Sequence, residues 1–317
     1  MELQVNEIFK KVKEYDSIII CGHVIPDGDC YGSIMGLTHV IREKYPDKKV
    51  YPVVSKMRAI PEKLEQGILP GTLDDELFPK SLVFILDLAN TPRLDEKRAV
   101  NGAYIIKLDH HVLAEHFGDI EFVDTTKSSC CEIVATLCLT KFDHINELAA
   151  TAFMMGLITD TGRFQFVNND SAFFTAGKLM ANHANLQNIY KILYTQKLDS
   201  FKFRSYVYSN FKAEKGVAYM VFTKEEIHNL GSDADSCGSS VNLISAIDGY
   251  PIWIFFAEYD DGSVRVEIRS TVDYNINPLA VSFGGGGHKQ ASGCKLDHIE
   301  DYKKVVAAAQ DLNKWRM

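Results

Sequence analysis

No stretch of this chain carries the roughly 20 consecutive apolar residues that a membrane-spanning helix needs. The longest purely apolar runs, such as Ile252 to Ala257, are far shorter. Basic residues are in the minority: 34 Lys and Arg against 42 Asp and Glu leave a net charge of -8. That balance argues against a broad basic surface gripping long duplex DNA. It leaves room for a short anionic substrate held by local groups and metal ions. The seven cysteines are odd in number, Cys130 and Cys131 are adjacent, and no CxxC pair occurs. A disulfide framework and a structural zinc site are therefore excluded, and a reducing cytoplasm fits best. Internal repeats and low-complexity tracts are absent. Met1 to Tyr15 mixes charged and apolar residues as an amphipathic helix does, not as a secretory leader does.

What is there suffices for two domains, since 317 residues can bury sizeable cores. Apolar, β-branched runs at Ser17 to Cys21, Val50 to Val54, Leu82 to Leu86 and Ala103 to Leu108 read as buried strands. Tyr31 to Tyr45 has helical periodicity, Ser55 to Pro79 reads as a short helix with loops, and Phe122-Val123 as a short strand. Helices are expected at Cys130 to Lys141 (capped by Ser128-Ser129), Asn146 to Thr159 and Asp170 to Asn182. Alternating strands and helices predict an α/β domain over 1–185 with a parallel sheet and right-handed crossovers. An aromatic helical connector is expected over 186–214, its rings packing rather than stacking on bases. A smaller α/β domain follows over 215–317, with strands Val217 to Phe222, Ile252 to Tyr259 and Ser263 to Ser270. Its helices are expected at Ser236 to Ile247 and Tyr302 to Trp315, and Asp260-Asp261-Gly262 reads as a hairpin turn.

Three of the buried runs end in reactive side chains. The first leads into His23-Val-Ile-Pro26-Asp27-Gly28-Asp29, the third into Asp87, and the fourth into Asp109-His110-His111. A helix later ends in Asp160. In a parallel sheet those exits share one edge, where ligands bind. Gly28 is read as letting the backbone bend so that Asp27 and Asp29 face one centre. Five carboxylates gathered with His23, His110 and His111 would repel one another unless cations were present. Asp/His ligation suits Mn2+, with Mg2+, Fe2+ or Co2+ as competitors; zinc is disfavoured, and Cys21 and Cys30 read as small core residues. The ligands suffice for two ions, the arrangement used for displacement at phosphorus; one ion with supporting acids is the alternative.

The second domain offers Gly284-Gly285-Gly286-Gly287-His288, whose amides can approach an anion closely. His288 and Arg269 can add positive charge there, and this is read as a substrate clamp. Arg93, in Asp87-x-x-Asn90-x-x-Arg93, is a further candidate for a phosphate contact.

These motifs, in this order and over essentially the whole chain, resemble those of the DHH phosphoesterase superfamily. The glycine run with His288, Ala291 and Gly293 is similar to the signature of the DHHA1 domain. Within the superfamily the likeness is to nano-RNases and 3'-phosphoadenosine 5'-phosphate (pAp) phosphatases. The resemblance implies two Mn2+ ions, with Mg2+ or Co2+ as substitutes. His23 and Asp27 would ligate one ion, Asp29, His111 and Asp160 the other, and Asp87 both. Asp109 would orient a ligand imidazole, and His110 would stand near the scissile phosphate as a charge stabiliser or proton donor. The active site would lie in the cleft between the domains. Substrates would be short single-stranded RNA, dinucleotides such as pGpG, and pAp, cleaved by hydroxide attack; a homodimer is compatible. Rival expectations are a single-strand DNA exonuclease, an inorganic pyrophosphatase and a catalytically silent nucleotide sensor. The chain departs from the family pattern at Cys30-Tyr31 and at Ser292, neither of them a proposed ligand.

Overall fold

The computed structural model describes residues 2–55 and 66–317, arranged as two units, Met1–Thr195 and Gln196–Met317. The first holds a five-stranded, all-parallel sheet of order β2-β1-β3-β4-β5. Its strands are β1 (Ser17–Cys21), β2 (Lys49–Pro52), β3 (Ser81–Leu86), β4 (Tyr104–Asp109) and β5 (Ile120–Val123). Both faces are covered, which is why the strand sequences are continuous apolar runs. Ile18, Ile20, Leu82, Phe84 and Leu86 face one core; Ile19, Cys21, Val83 and Ile85 face the other. The first core is built with α1 (Glu2–Glu14), α2 (Gly28–Lys44), α3 (Cys130–Phe142), α4 (Glu147–Asp160), α5 (Ser171–Ala181) and α6 (Leu186–Tyr194). The second is closed by short 3-10 turns that supply Phe78 and Ala99. In this strand order the sheet's direction of winding reverses between β1 and β3, which opens a crevice at their carboxyl ends.

Helices α2 and α4 pack antiparallel at very close range. A Cβ on Gly32 would lie 2.5 Å from the Ala152 carbonyl, and one on Gly28 would lie 2.3 Å from Thr159 Oγ1. Gly28 is thus the first residue of α2, held there by packing. The tight bend expected of it is absent, because Asp27 has already capped the helix through its own side chain. This contact sets the last residue of α4, Asp160, against the start of α2.

The second unit carries a mixed sheet of order β10-β11-β9-β8-β7-β6. Its strands are β6 (Lys212–Glu214), β7 (Val217–Phe222), β8 (Ile252–Glu258), β9 (Val264–Ser270), β10 (Gly286–Gly287) and β11 (Ala291–Leu296). Only β7 and β8 pair in parallel. One face packs Ile254, Phe256 and Ile268 with α10 (Asn277–Ser282), α11 (Tyr302–Ala309) and α12 (Leu312–Trp315). The other packs Trp253 and Phe255 with α7 (Leu198–Asn210), α8 (Lys224–Asn229) and α9 (Ala234–Ser239). Gly262, with φ +85°, turns the β8–β9 hairpin as expected.

Several expectations differ from what forms. The stretch read as one connector is two helices, α6 in the first unit and α7 in the second. The helix expected from Ser236 to Ile247 is α9 followed by a 3-10 turn, Val241–Ile244; Gly238 and four serines there are poor helix formers. The last helix breaks after Gln310, and Trp315 Nε1 donates to the Ala308 carbonyl that the break exposes. β11 was unforeseen, because its polar Ser292 and Lys295 hide the strand pattern that pairing with β9 imposes. The short helix expected between Ser55 and Pro79 falls partly on 56–65, outside the described residues; a 3-10 turn spans Asp75–Lys80.

Gly32→Ala tests the α2–α4 contact. Alanine gains about 1 kcal/mol of helix propensity. The clash with a backbone carbonyl cannot relax through a rotamer, and overpacking of this kind costs about 1–3 kcal/mol. A net loss of stability is expected in urea denaturation. An unchanged or raised midpoint would show that the helices separate at no cost.

Candidate metal centre

β1 delivers His23 on a loop tied down by two backbone bonds, Val24 N–H to Arg93 O (2.8 Å) and Asp95 N–H to Gly22 O (3.0 Å). The His23 Nδ1–H donates to the Val24 carbonyl (2.9 Å), which turns Nε2 toward the carboxylates. That nitrogen lies 3.4 Å from Asp87 Oδ2 and 3.8 Å from Asp27 Oδ2. Asp27 caps α2: its Oδ1 accepts from the amides of Asp29 and Cys30, both at 3.0 Å, and Oδ2 stays available. Ile25 between them has φ +55°, a strained conformation for a β-branched residue.

Asp87 leaves β3 at φ +57°, in the left-handed region that Asp tolerates better than most residues. It is 2% exposed, and its Oδ1 is buried without a hydrogen-bond partner. His110 Nε2 stands 3.5 Å from that oxygen, 3.5 Å from Asp160 Oδ2 and 3.9 Å from Asp29 Oδ2. Asp29 also anchors α3, accepting from the amides of Cys130 (2.6 Å) and Cys131 (2.9 Å). His111 is held differently: its Nδ1 is 2.8 Å from Asp109 Oδ1 and 3.5 Å from Asp87 Oδ1, and its side chain is half-exposed. The structure thus brings His110, rather than the expected His111, against Asp29 and Asp160. Asp109 holds the His111 ring.

The electrostatics are those of a site missing positive charge. Burial and the charges of Asp87 and Asp160 push Asp29 well above the usual carboxylate range. Burial pushes Asp160 up to about 6, with Asp87 adding to the effect and His110 opposing it. Asp160 also ends α4, where the helix dipole disfavours an anion. Burial works against a charge on Asp87, yet the imidazoles of His110 and His23 hold it well below its ordinary value. Burial lowers His110, but Asp87, Asp29 and Asp160 outweigh it and raise the ring to about 9.

These residues fit divalent ions. Separations of 3.4–3.9 Å are too long for good hydrogen bonds. They suit donors that each sit roughly 2.0–2.2 Å from a shared cation. The orphaned Asp87 Oδ1 has no other use. Three donor groups lie close enough to hold an ion: His23, Cys30 and Asp87; Asp87, His110 and His111; and Asp29, His110 and Asp160. Cys30, read from sequence as core, belongs to the first. Nothing in the spacing signalled this, because its direction is set by the first turn of α2. Asn90, whose Oδ1 is also buried and unpartnered, was passed over as well.

The remaining candidates lie elsewhere. Arg93 is exposed on the loop after Asp87, and no acid pairs with it among the described residues. Arg269, on β9, is 3.0 Å from Glu267 Oε2 and donates to the Ile268 carbonyl (2.9 Å). Gly287 has φ +138°, and a Cβ on Gly285 would lie 2.1 Å from the Gly293 carbonyl. Those two glycines are therefore accounted for by β10–β11 pairing. Gly286 faces open space with no such constraint, and His288 is exposed.

The strand ends of this doubly wound sheet gather carboxylates and imidazoles that could hold metal ions, and the chain belongs to the DHH family of phosphoesterases, a class of metal-dependent hydrolases. Residues 17–157 match the DHH family, N-terminal domain, and 210–314 match the DHHA1 domain. It is similar to the bifunctional oligoribonuclease and PAP phosphatase NrnA of Bacillus subtilis, at 33% identity over 98% of both chains. The probable NrnA of Streptococcus mutans is 30% identical over 97% of this chain and 98% of its own. Among solved structures, an exopolyphosphatase-related protein from Bacteroides fragilis superposes with a TM-score of 0.78 at 27% identity, covering 98% and 96% of the two chains.

Metal binding should release protons. With His110 raised to about 9, its ring is protonated at pH 7.5 in the metal-free protein, and ligation requires the neutral form. Affinity should therefore rise with pH through the range in which His110 loses its proton, by up to about tenfold per unit for each proton displaced. Calorimetry in buffers of different ionisation heat should detect at least one proton released at pH 7.5; zero release would contradict these electrostatics.

Proposed function

We propose that this phosphoesterase hydrolyses short RNA oligonucleotides, dinucleotides such as pGpG, and pAp in the cytoplasm, using two Mn2+ ions. The observation that carries the reading is the buried Asp87 carboxylate, flanked by His23 with Asp27 on one side and by His110 with Asp29 and Asp160 on the other. The first group would hold one ion and the second group the other, with Asp87 shared; Mg2+ or Co2+ are the expected substitutes. When bound, such a pair supplies Lewis acidity and an activated water for displacement at phosphorus.

The chain's own residues do the rest. Asp109 fixes the His111 ring through Nδ1 and keeps that nitrogen protonated. The exposed Nε2 can then carry a second proton toward a phosphate oxygen or leaving group. The Asp109 hydrogen bond raises the His111 pKa, with burial opposing it, which favours the charged, donating form. Arg93 is a free cation beside the His23 loop, suited to a non-bridging phosphate oxygen. In the second unit, Gly285, Gly286, Gly287, His288 and Arg269 form the substrate-binding element. Gly286 is where the backbone can be approached, and Arg269 contributes charge while it is braced by Glu267. The full-length similarity to NrnA proteins supports the choice of short oligonucleotides and pAp over long nucleic acid.

A turnover panel with Mn2+ on pAp, pGpG, RNA and DNA oligomers and pyrophosphate tests the substrate class; pyrophosphate alone as substrate would overturn it. The two histidines test the site. His110→Ala should bind one Mn2+ fewer per chain. His111→Gln should keep both ions and lose about 100-fold or more in kcat, as expected for removal of a proton donor. Equal metal loss in the two variants would contradict the assignment.

A further inference from the structure

Cys30 lies inside the metal centre. Its side chain is fully buried, and its sulfur is within 4.8 Å of both a His23 ring nitrogen and an Asp87 carboxylate oxygen. The cysteine is anchored through its amide, which the Asp27 carboxylate accepts at 3.0 Å, so thiol and Asp27 move together as one cap. Room for the sulfur is kept by Gly22, where any Cβ would come within 2.4 Å of it. The neighbouring thiols are engaged elsewhere. Cys21 donates to the Phe84 carbonyl (3.7 Å), Cys130 to Leu108 (3.3 Å) and Cys131 to Asp29 (3.4 Å). Cys30 instead turns its sulfur to His23, which hydrogen-bonds it through both ring and backbone. The carboxylate it approaches, Asp87, is almost fully buried, and its Oδ2 faces the same His23 ring at 3.4 Å.

We propose that Cys30 is a thiolate donor to the ion held by His23, Asp27 and Asp87. It gives that position, and not its neighbour, a preference for thiophilic divalent cations such as Co2+, Zn2+ and Cd2+. The inference rests on the two-ion reading above. A metal–sulfur bond is about 2.3 Å long and a bond to nitrogen or oxygen about 2.0–2.2 Å. The three donor atoms, all within 4.8 Å of one another, are near enough for side-chain adjustment to bring sulfur, imidazole and carboxylate onto one ion. On ligation the thiol proton leaves to solvent and the sulfur's lone pair forms the metal bond. The other position is lined by Asp29, His110 and Asp160 with no free thiol, and keeps the hard donor set suited to Mn2+. The two positions are thereby chemically unequal within one chain.

The full-length protein is loaded with two equivalents of Co2+ and followed by absorption. Cys21→Ala, Cys30→Ala and the closer isostere Cys30→Ser are measured in parallel, with circular dichroism to verify folding. A sulfur-to-cobalt charge-transfer band should appear in the near ultraviolet, amounting to one thiolate per chain. Cys21→Ala should retain it and both Cys30 variants should lose it. Competition against Mn2+ should show Cd2+ affinity at one position falling on the order of tenfold or more in Cys30→Ser. Two bound Co2+ ions without the band, or a band that survives in Cys30→Ser, would overturn the proposal and leave the two-ion reading intact. Failure to bind Co2+ at all would overturn both. Should the Cys30 variants not fold, absence of the band from the wild-type protein or its loss in Cys21→Ala would overturn the proposal, and its presence in both would support it.

Discussion

Everything at the carboxyl edge of the first sheet depends on one buried charge. Asp87 is held at a left-handed backbone position at the end of the central strand, where β1 and β3 part, with one oxygen unpartnered. A carboxylate in such a place is costly unless positive charge neutralises it. The neighbouring imidazoles partly do so, which is why His110 is pushed up while Asp87 is held down. Asp29 and Asp160 are only partly compensated by His110, and both stay raised. The site is therefore poised for cations, and the strained backbone at Ile25 and Asp87 fits a scaffold that gives up local stability for geometry.

The scaffold delivers these groups by two independent routes. Parallel β1, β3 and β4 bring His23, Asp87 and the Asp109-His110-His111 segment to one edge through register alone. Asp29 and Asp160 come from helices, and their meeting depends on how closely α2 and α4 approach. Glycines at 28, 32 and 156 permit that approach, and Gly156 would place a Cβ 3.0 Å from Asp29 Cα. Asp29 then locks α3 through two amide bonds. A residue with the character of a ligand is thus also a structural pin, and its substitution would confound folding with metal binding.

Much of this was legible in the sequence. Buried parallel strands leave continuous apolar runs, and the reactive residues sit where those runs stop, so the membership of the site and the first sheet followed from pattern. What did not follow depends on direction rather than position. His110 and His111 are adjacent after β4, and which ring turns toward Asp160 is decided by the backbone beyond Asp109. The resemblance assigned them the other way round. Gly28 was read as a hinge when its demand is steric. In the second unit, Gly285 and Gly287 also have a packing reason in β10–β11 pairing, which the glycine run alone does not reveal. Cys30 was assigned to the core because a small buried thiol has no periodicity to betray it.

The central claim is that Asp87 is shared by two ions held close together. Electron paramagnetic resonance of the protein loaded with two equivalents of Mn2+ tests it most directly, because ions roughly 3.5–4 Å apart and bridged by a carboxylate couple magnetically. The account predicts an exchange-coupled spectrum with both equivalents bound. The signal of magnetically isolated Mn2+, or saturation at one ion per chain, would contradict it.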